Sequence, residues 1–136
     1  FADHTKLRVI TEKAPHLGRL LWLDTLVDAA IHREWIVAMG RRSKVSHLAH
    51  LICELFIRLQ VVGHTNGTSF NLPLSQAELA DVLGLSVVHM NRVIGSLRKS
   101  AAVNWANHTV TIVDWRLLAQ MAEFDPTYLS MTNEPR

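Results

Sequence analysis

The chain has 136 residues, with 14 Lys and Arg against 12 Asp and Glu, eight His and a formal net charge of +2. Its length allows one modest domain, or a dimerisation element joined to a small module. A single cysteine, Cys53, excludes an intramolecular disulfide, and with no charged-then-apolar leader the expected compartment is the cytoplasm. The small total charge hides an asymmetry. Residues 86–113 contain no Asp or Glu but contain His89, Arg92, Arg98, Lys99 and His108, whereas residues 114–136 hold four acids and two arginines.

In chain order, residues 1–14 read as a polar, β-prone stretch before Pro15 opens a long helix. Over residues 20–39 fourteen of twenty positions are apolar, but Asp24, Asp28, Arg33 and Glu34 interrupt the run, so it is not a membrane span. Leu20, Leu23, Val27, Ala30 and Val37 follow a 3-4 spacing broken at Glu34, which suits a parallel partner helix. Trp22, Leu26, Ile31, Trp35 and Ile36 cover the other faces, so the helix calls for burial on several sides, by a homodimer partner and a further domain. Trp22, Trp35 and Met39 are expected to pack in a core rather than to form a ligand box.

Gly40-Arg41-Arg42-Ser43 breaks the pattern and reads as a hinge, with Ser43 or Ser46 able to cap a new helix. Leu48, Leu51, Ile52, Leu55, Phe56 and Leu59 then build an amphipathic helix. Its polar face holds Lys44, His47, His50, Glu54 and Arg58 and is expected to be solvated. His47, His50 and Glu54, flanked by Cys53, could converge on a metal, but a solvated helix face is the better reading, and no metal site is assigned. Asn66-Gly67 within residues 61–74 signals a hairpin that Pro73 stops, more scaffold than contact surface.

Residues 74–99 carry the most informative pattern. Ser75 followed by Glu78 three residues later is a capping box that starts a helix whose buried face is Leu79, Val82 and Leu83, with Ala80 small where a second helix crosses. Gly84 ends that helix, and Ser86 caps the next, whose apolar stripe is Met90, Val93, Ile94 and Leu97. Val87, Val88, His89, Asn91, Arg92, Gly95 and Lys99 remain outward. The spacing is that of a helix-turn-helix, and its second helix would meet phosphate without repulsion. Two short β-prone runs follow around a turn at residues 106–108, forming a wing whose Asn107 and His108 can reach the sugar-phosphate backbone. Asp114 caps a last helix containing Trp115, Leu118, Ala119, Met121 and Ala122, which Pro126 would stop, and the last six residues read as a disordered tail.

The expected fold is therefore mainly α with small β-hairpins: a long dimerisation helix with its hinge over residues 15–42, then a winged helix-turn-helix domain over residues 43–130. No glycine-rich phosphate loop or nucleophile elbow supports an enzyme. The rival to DNA binding is a protein-interaction module that docks through the apolar long helix.

With these pieces in order, the chain resembles the Crp/Fnr family of bacterial transcription regulators. The resemblance rests on the long helix, the Gly-Arg-Arg-Ser hinge, the segment Leu-Ser-Gln-Ala-Glu-Leu-Ala-Asp-Val-Leu-Gly-Leu-Ser and the wing. It implies an N-terminal sensor barrel of the cyclic-nucleotide-binding type, of which residues 1–14 would be a remnant, its last strand. It also implies a homodimer on double-stranded DNA with RNA polymerase as a partner, no cofactor held by this chain, and a signal read by the barrel. By position, base reading falls on Val87, Val88, His89 and Arg92, and backbone contact is assigned to Ser75, Gln76, Ser86, Asn91, Lys99, Asn107 and His108. Arg92 matches the family arginine, whose fork suits guanine O6 and N7. Val88 departs from the glutamate of well-known members, so the half-site should differ from the best-known consensus.

Overall fold

The computed structural model describes residues 3–130. Two helices come first, α1 (His4–Lys13) and the long α2 (Pro15–Arg41). A break of two residues leads into α3 (Lys44–Val61), and a hairpin of β1 (Thr65–Asn66) and β2 (Ser69–Asn71) follows. Next come α4 (Gln76–Leu83), α5 (Val87–Lys99) and the strands β3 (Val103–Ala106) and β4 (Thr109–Ile112). The chain then forms α6 (Trp115–Ala122) and a 3-10 turn, Pro126–Leu129. The expected tail, residues 131–136, lies outside the described residues.

Helix α3 runs through the middle of the core. Its Leu48, Ile52 and Phe56 pack among Leu79 and Leu83 of α4, Met90, Val93 and Leu97 of α5, and Leu118 and Ala122 of α6. The strands close one side. Both hairpins join in one antiparallel sheet of order β1-β2-β4-β3, since β2 pairs with β4 with Phe70 opposite Val110. Trp105 also lies opposite Val110, so Phe70, Val110 and Trp105 form a cross-strand row, all three buried in the core. On the alternate face, the Ser69 and Thr111 hydroxyls meet at 2.8 Å. The upstream hairpin is thus structural, as its sequence suggested, and it extends the wing into a continuous sheet.

Five expectations need correction. Residues 4–13 form a helix where a strand was expected. Asp3 caps it by accepting from the Thr5 N–H, Arg8 pairs with Glu12 one turn on, and its residues stay exposed. A strand needs another strand to pair its backbone, and among the described residues none pairs with this segment, whose neighbour is the helix α2. The break falls at Arg42 and Ser43, and Gly40 stays helical within the last turn of α2, where its entropic cost of about 1 kcal/mol is tolerated. Ser43 is the cap of α3, accepting from the Ser46 N–H at 3.1 Å. Val82, expected in the buried face of α4, is exposed, leaving that face to Leu79, Ala80 and Leu83. Trp22 and Met39, expected in a core, are 70% and 54% exposed; within this chain only Ala38 of α2 is buried.

The last correction concerns the polar face of α3, which was expected in water. His47, His50 and Glu54 are buried, because Trp35 of α2 and the turn at Pro126–Leu129 cover them. Glu54 Oε2 accepts from Tyr128 OH at 2.7 Å and from Trp35 Nε1 at 3.2 Å, and its Oε1 accepts from Arg58 at 3.0 Å. Hydrogen bonding replaces the hydration the carboxylate loses. Burial and this carboxylate together push the Tyr128 phenol above its ordinary range.

Candidate nucleic-acid interface

The interface begins with two caps. Ser75 Oγ accepts from the Glu78 N–H at 3.2 Å while Glu78 Oε2 accepts from the Ser75 N–H at 2.8 Å, so the capping box read from the sequence is formed. Glu78 also accepts the Ser75 hydroxyl proton at 2.7 Å, and these bonds hold its carboxyl below the usual range. Gly84 then takes φ 64°, ψ 45°, the left-handed conformation that turns the chain into α5. Ser86 caps α5 by accepting from the His89 N–H at 3.3 Å. The apolar stripe Met90, Val93, Ile94 and Leu97 locks one side of α5 into the core.

What is left of α5 faces outward. Val87, Val88, His89, Asn91, Arg92 and Lys99 are exposed, Val88 at 65%. Arg92 has no carboxylate partner, and its fork is free for a ligand: among the described residues the ion pairs lie at Arg8, His32, Arg42 and Arg58 instead. At the tip of the wing, Asn107 and His108 both take positive φ, 49° and 60°, as a two-residue hairpin turn requires. That turn presents both side chains to solvent and anchors the wing to the chain before α4 through the Leu72 N–H on the His108 carbonyl at 2.7 Å.

The fold brings together residues that the sequence placed in separate motifs. Ser75 and Gln76 at the start of α4, Arg98 near the end of α5 and Asn107 and His108 of the wing line one cleft, floored by Leu74, Leu79, Ile94 and Trp105. Lys99 is exposed outside this lining. Sequence reading counted Arg98 in the basic stretch but did not assign it a contact; helical position alone could not place it across from the wing. Ser75 has its hydroxyl proton committed to Glu78, so the cleft's donors to an anion are Gln76, Arg98, Asn107 and His108.

The proposed seam of α2 has a mixed environment. Leu20 and Val37 are 53% and 45% exposed, whereas Leu23, Val27 and Ala30 are half-buried. Glu34, which interrupts the seam, is turned to Arg42 of the same chain. Leu17, Leu21, Leu26 and Ile36 add further exposed apolar surface. Among the described residues, no helix is long and apolar enough to cross a membrane.

Residues 46–121 match the model of the Crp-like helix-turn-helix domain, more than half of the chain. The chain belongs to the Crp/Fnr family. The transcriptional activator protein FnrL of Cereibacter sphaeroides is 29% identical over 117 residues, covering 82% of this chain and 47% of that protein. A probable transcriptional activator of Rhizobium leguminosarum bv. viciae is 38% identical over 109 residues, 78% of this chain and 43% of that protein. The chain therefore spans less than half the length of these curated relatives. Among solved structures, FixK2 from Bradyrhizobium japonicum superposes with a TM-score of 0.73 at 17% identity, covering 88% of this chain and 59% of that one. The chain thus shares with FixK2 the fold described above.

Proposed function

We propose that this chain is the DNA-reading part of a Crp/Fnr-type transcription regulator that binds a pseudo-palindromic operator as a homodimer. The observation that carries the reading is the exposed, acid-free face of α5, held rigidly by a buried stripe on its opposite side and flanked by the basic cleft between α4 and the wing. Val87, Val88, His89 and Arg92 face the base edges, with Arg92 as the principal reader of a guanine. Val88 offers an apolar surface suited to a thymine methyl and cannot accept from cytosine N4. Gln76, Ser86, Asn91, Lys99, Asn107 and His108 contact the backbone, joined by Arg98. Ser75 contributes through the cap that orients α4.

Two such helices, placed in successive major grooves, require centres about 34 Å apart, which a symmetric pair of long helices would set. Leu20, Leu23, Val27, Ala30 and Val37 of α2 form the pairing face, with residues 15–42 as the dimerisation helix and hinge and residues 43–130 as the winged domain. The family and the names of its relatives support a transcription regulator rather than an enzyme, and the proposal takes it to act in the cytoplasm with RNA polymerase as a partner. The exposed apolar surface of α2 is what a protein-interaction module would also need, but such a module has no use for the acid-free face of α5.

Two substitutions separate base reading from backbone attraction. Arg92→Ala should cost about 1–3 kcal/mol on the preferred site and relax one base position. Lys99→Ala should weaken binding to all duplexes alike and reduce the salt slope by about one. Fluorescence anisotropy on the preferred site and a scrambled duplex, at two salt concentrations, reads both effects. Unchanged affinity of the Arg92 variant for the preferred site would defeat the assignment.

A further inference from the structure

The buried polar groups around the break between α2 and α3 have no part in contacting a nucleic acid, and they connect four elements. Tyr128, on the 3-10 turn at Pro126–Leu129, places its hydroxyl 2.7 Å from Glu54 Oε2 and 3.1 Å from His50 Nε2, both on α3. The same Glu54 oxygen accepts from Trp35 of α2 at 3.2 Å. His50 Nδ1 lies 3.3 Å from the Ala122 carbonyl at the end of α6. Arg42, with its side chain only 5% exposed, bonds Glu34 of α2 and donates to the Glu123 carbonyl at 3.1 Å. Two bonded routes therefore cross from α2 to the C-terminal segment, one through Glu54 and one through Arg42.

We propose that the turn carrying Tyr128 is a latch that holds the long helix against the winged domain and whose release lets α2 pivot about Arg42 and Ser43. The covalent link alone does not fix that angle, since Arg42 and Ser43 are both extended, with ψ near 150°, and interrupt the helical hydrogen bonds. The latch segment starts and ends on non-glycine residues in the left-handed region, Glu123 at φ 48° and Ser130 at φ 50°, conformations that cost energy and persist while the contacts between them hold. The closed joint is also incompletely satisfied. Arg42 Nε and Nη1, Ser46 Oγ and both ring nitrogens of His47 are buried without a hydrogen-bond partner, all within six residues of the break. Opening would hydrate them, which offsets part of what the Tyr128 and Arg42 contacts contribute. A specific clasp with unmet polar groups beside it makes this joint the place where local opening would begin.

Hydrogen exchange of the 136-residue chain, followed by mass spectrometry, tests this without reference to DNA binding. Tyr128→Phe keeps the ring packing and removes only the hydroxyl. It should speed exchange of amides in the last two turns of α2 at least tenfold and leave α4 and α5 unchanged. Glu34→Gln, which weakens the other route from a partly exposed position, should give the same localised signature. Unchanged exchange in α2 for both variants, or equal acceleration throughout the winged domain, would overturn the proposal.

Discussion

At the scale of single residues, the most consequential side chains are polar ones whose surroundings reverse their usual behaviour. His47 is buried against the edge of Trp35, with ring centroids 5.5 Å apart, and its ring nitrogens have no partner. Burial, aided by Lys44, His50 and Arg42, lowers its pKa to about 4, and burial lowers that of His50 as well. The unfolded chain takes up these protons near pH 6.5 while the folded chain does not, so folding loses stability as pH falls from about 6.5 towards 4. For His47 alone the loss between pH 7 and pH 5 is about 2 kcal/mol. Urea midpoints at the two pH values should show it, and His47→Phe, which keeps a ring beside Trp35, should flatten the dependence. A variant as acid-sensitive as the parent would show that other groups carry the effect. At the opposite extreme, Arg92 and Val88 are exposed and held only through the backbone of α5, which leaves them open to the partner proposed for them.

At the scale of elements, local chemistry wrote most of the helix-turn-helix. The Ser75 and Glu78 box, the Gly84 turn, the Ser86 and Asp114 caps and the Asn107-His108 turn each depend on residues within four positions of one another, and each formed as its sequence suggested. Gly84 sits at φ 64° with open space where a Cβ would project, so Gly84→Ala should cost about 1–2 kcal/mol from backbone conformation alone. A lowered urea midpoint at constant m-value would report it; a midpoint equal to the parent's would mean the turn relaxes into another conformation. What the sequence hid depends on distant partners. The polar face of α3 reads as solvated until Trp35 and Tyr128, 19 residues before and 74 residues after Glu54, are seen to cover it. The pairing of β2 with β4 and the placing of Arg98 across from Asn107 and His108 are long-range in the same way. Residues 4–13 show the reverse case, where helix caps and an i, i+4 ion pair decide a segment that β-propensity would assign to a sheet.

At the scale of the molecule, two regions differ in how they are stabilised. The winged region has one continuous core built from α3 to α6 and the sheet, whereas α2 buries only Ala38 and leaves long apolar side chains in water. A helix of 27 residues so exposed calls for a partner, and in the proposed homodimer a second copy of the same helix would meet that need while setting two reading heads on one duplex. The latch at Tyr128 would then decide how firmly each head is held at its angle. Selection of bound duplexes from a randomised pool with the 136-residue chain tests the whole account at once. Enrichment of two-fold symmetric sites is expected, with half-sites about one helical turn apart and a guanine whose selection disappears with Arg92→Ala. A pool that stays random, or one enriched in single unrepeated motifs indifferent to Arg92, would contradict it.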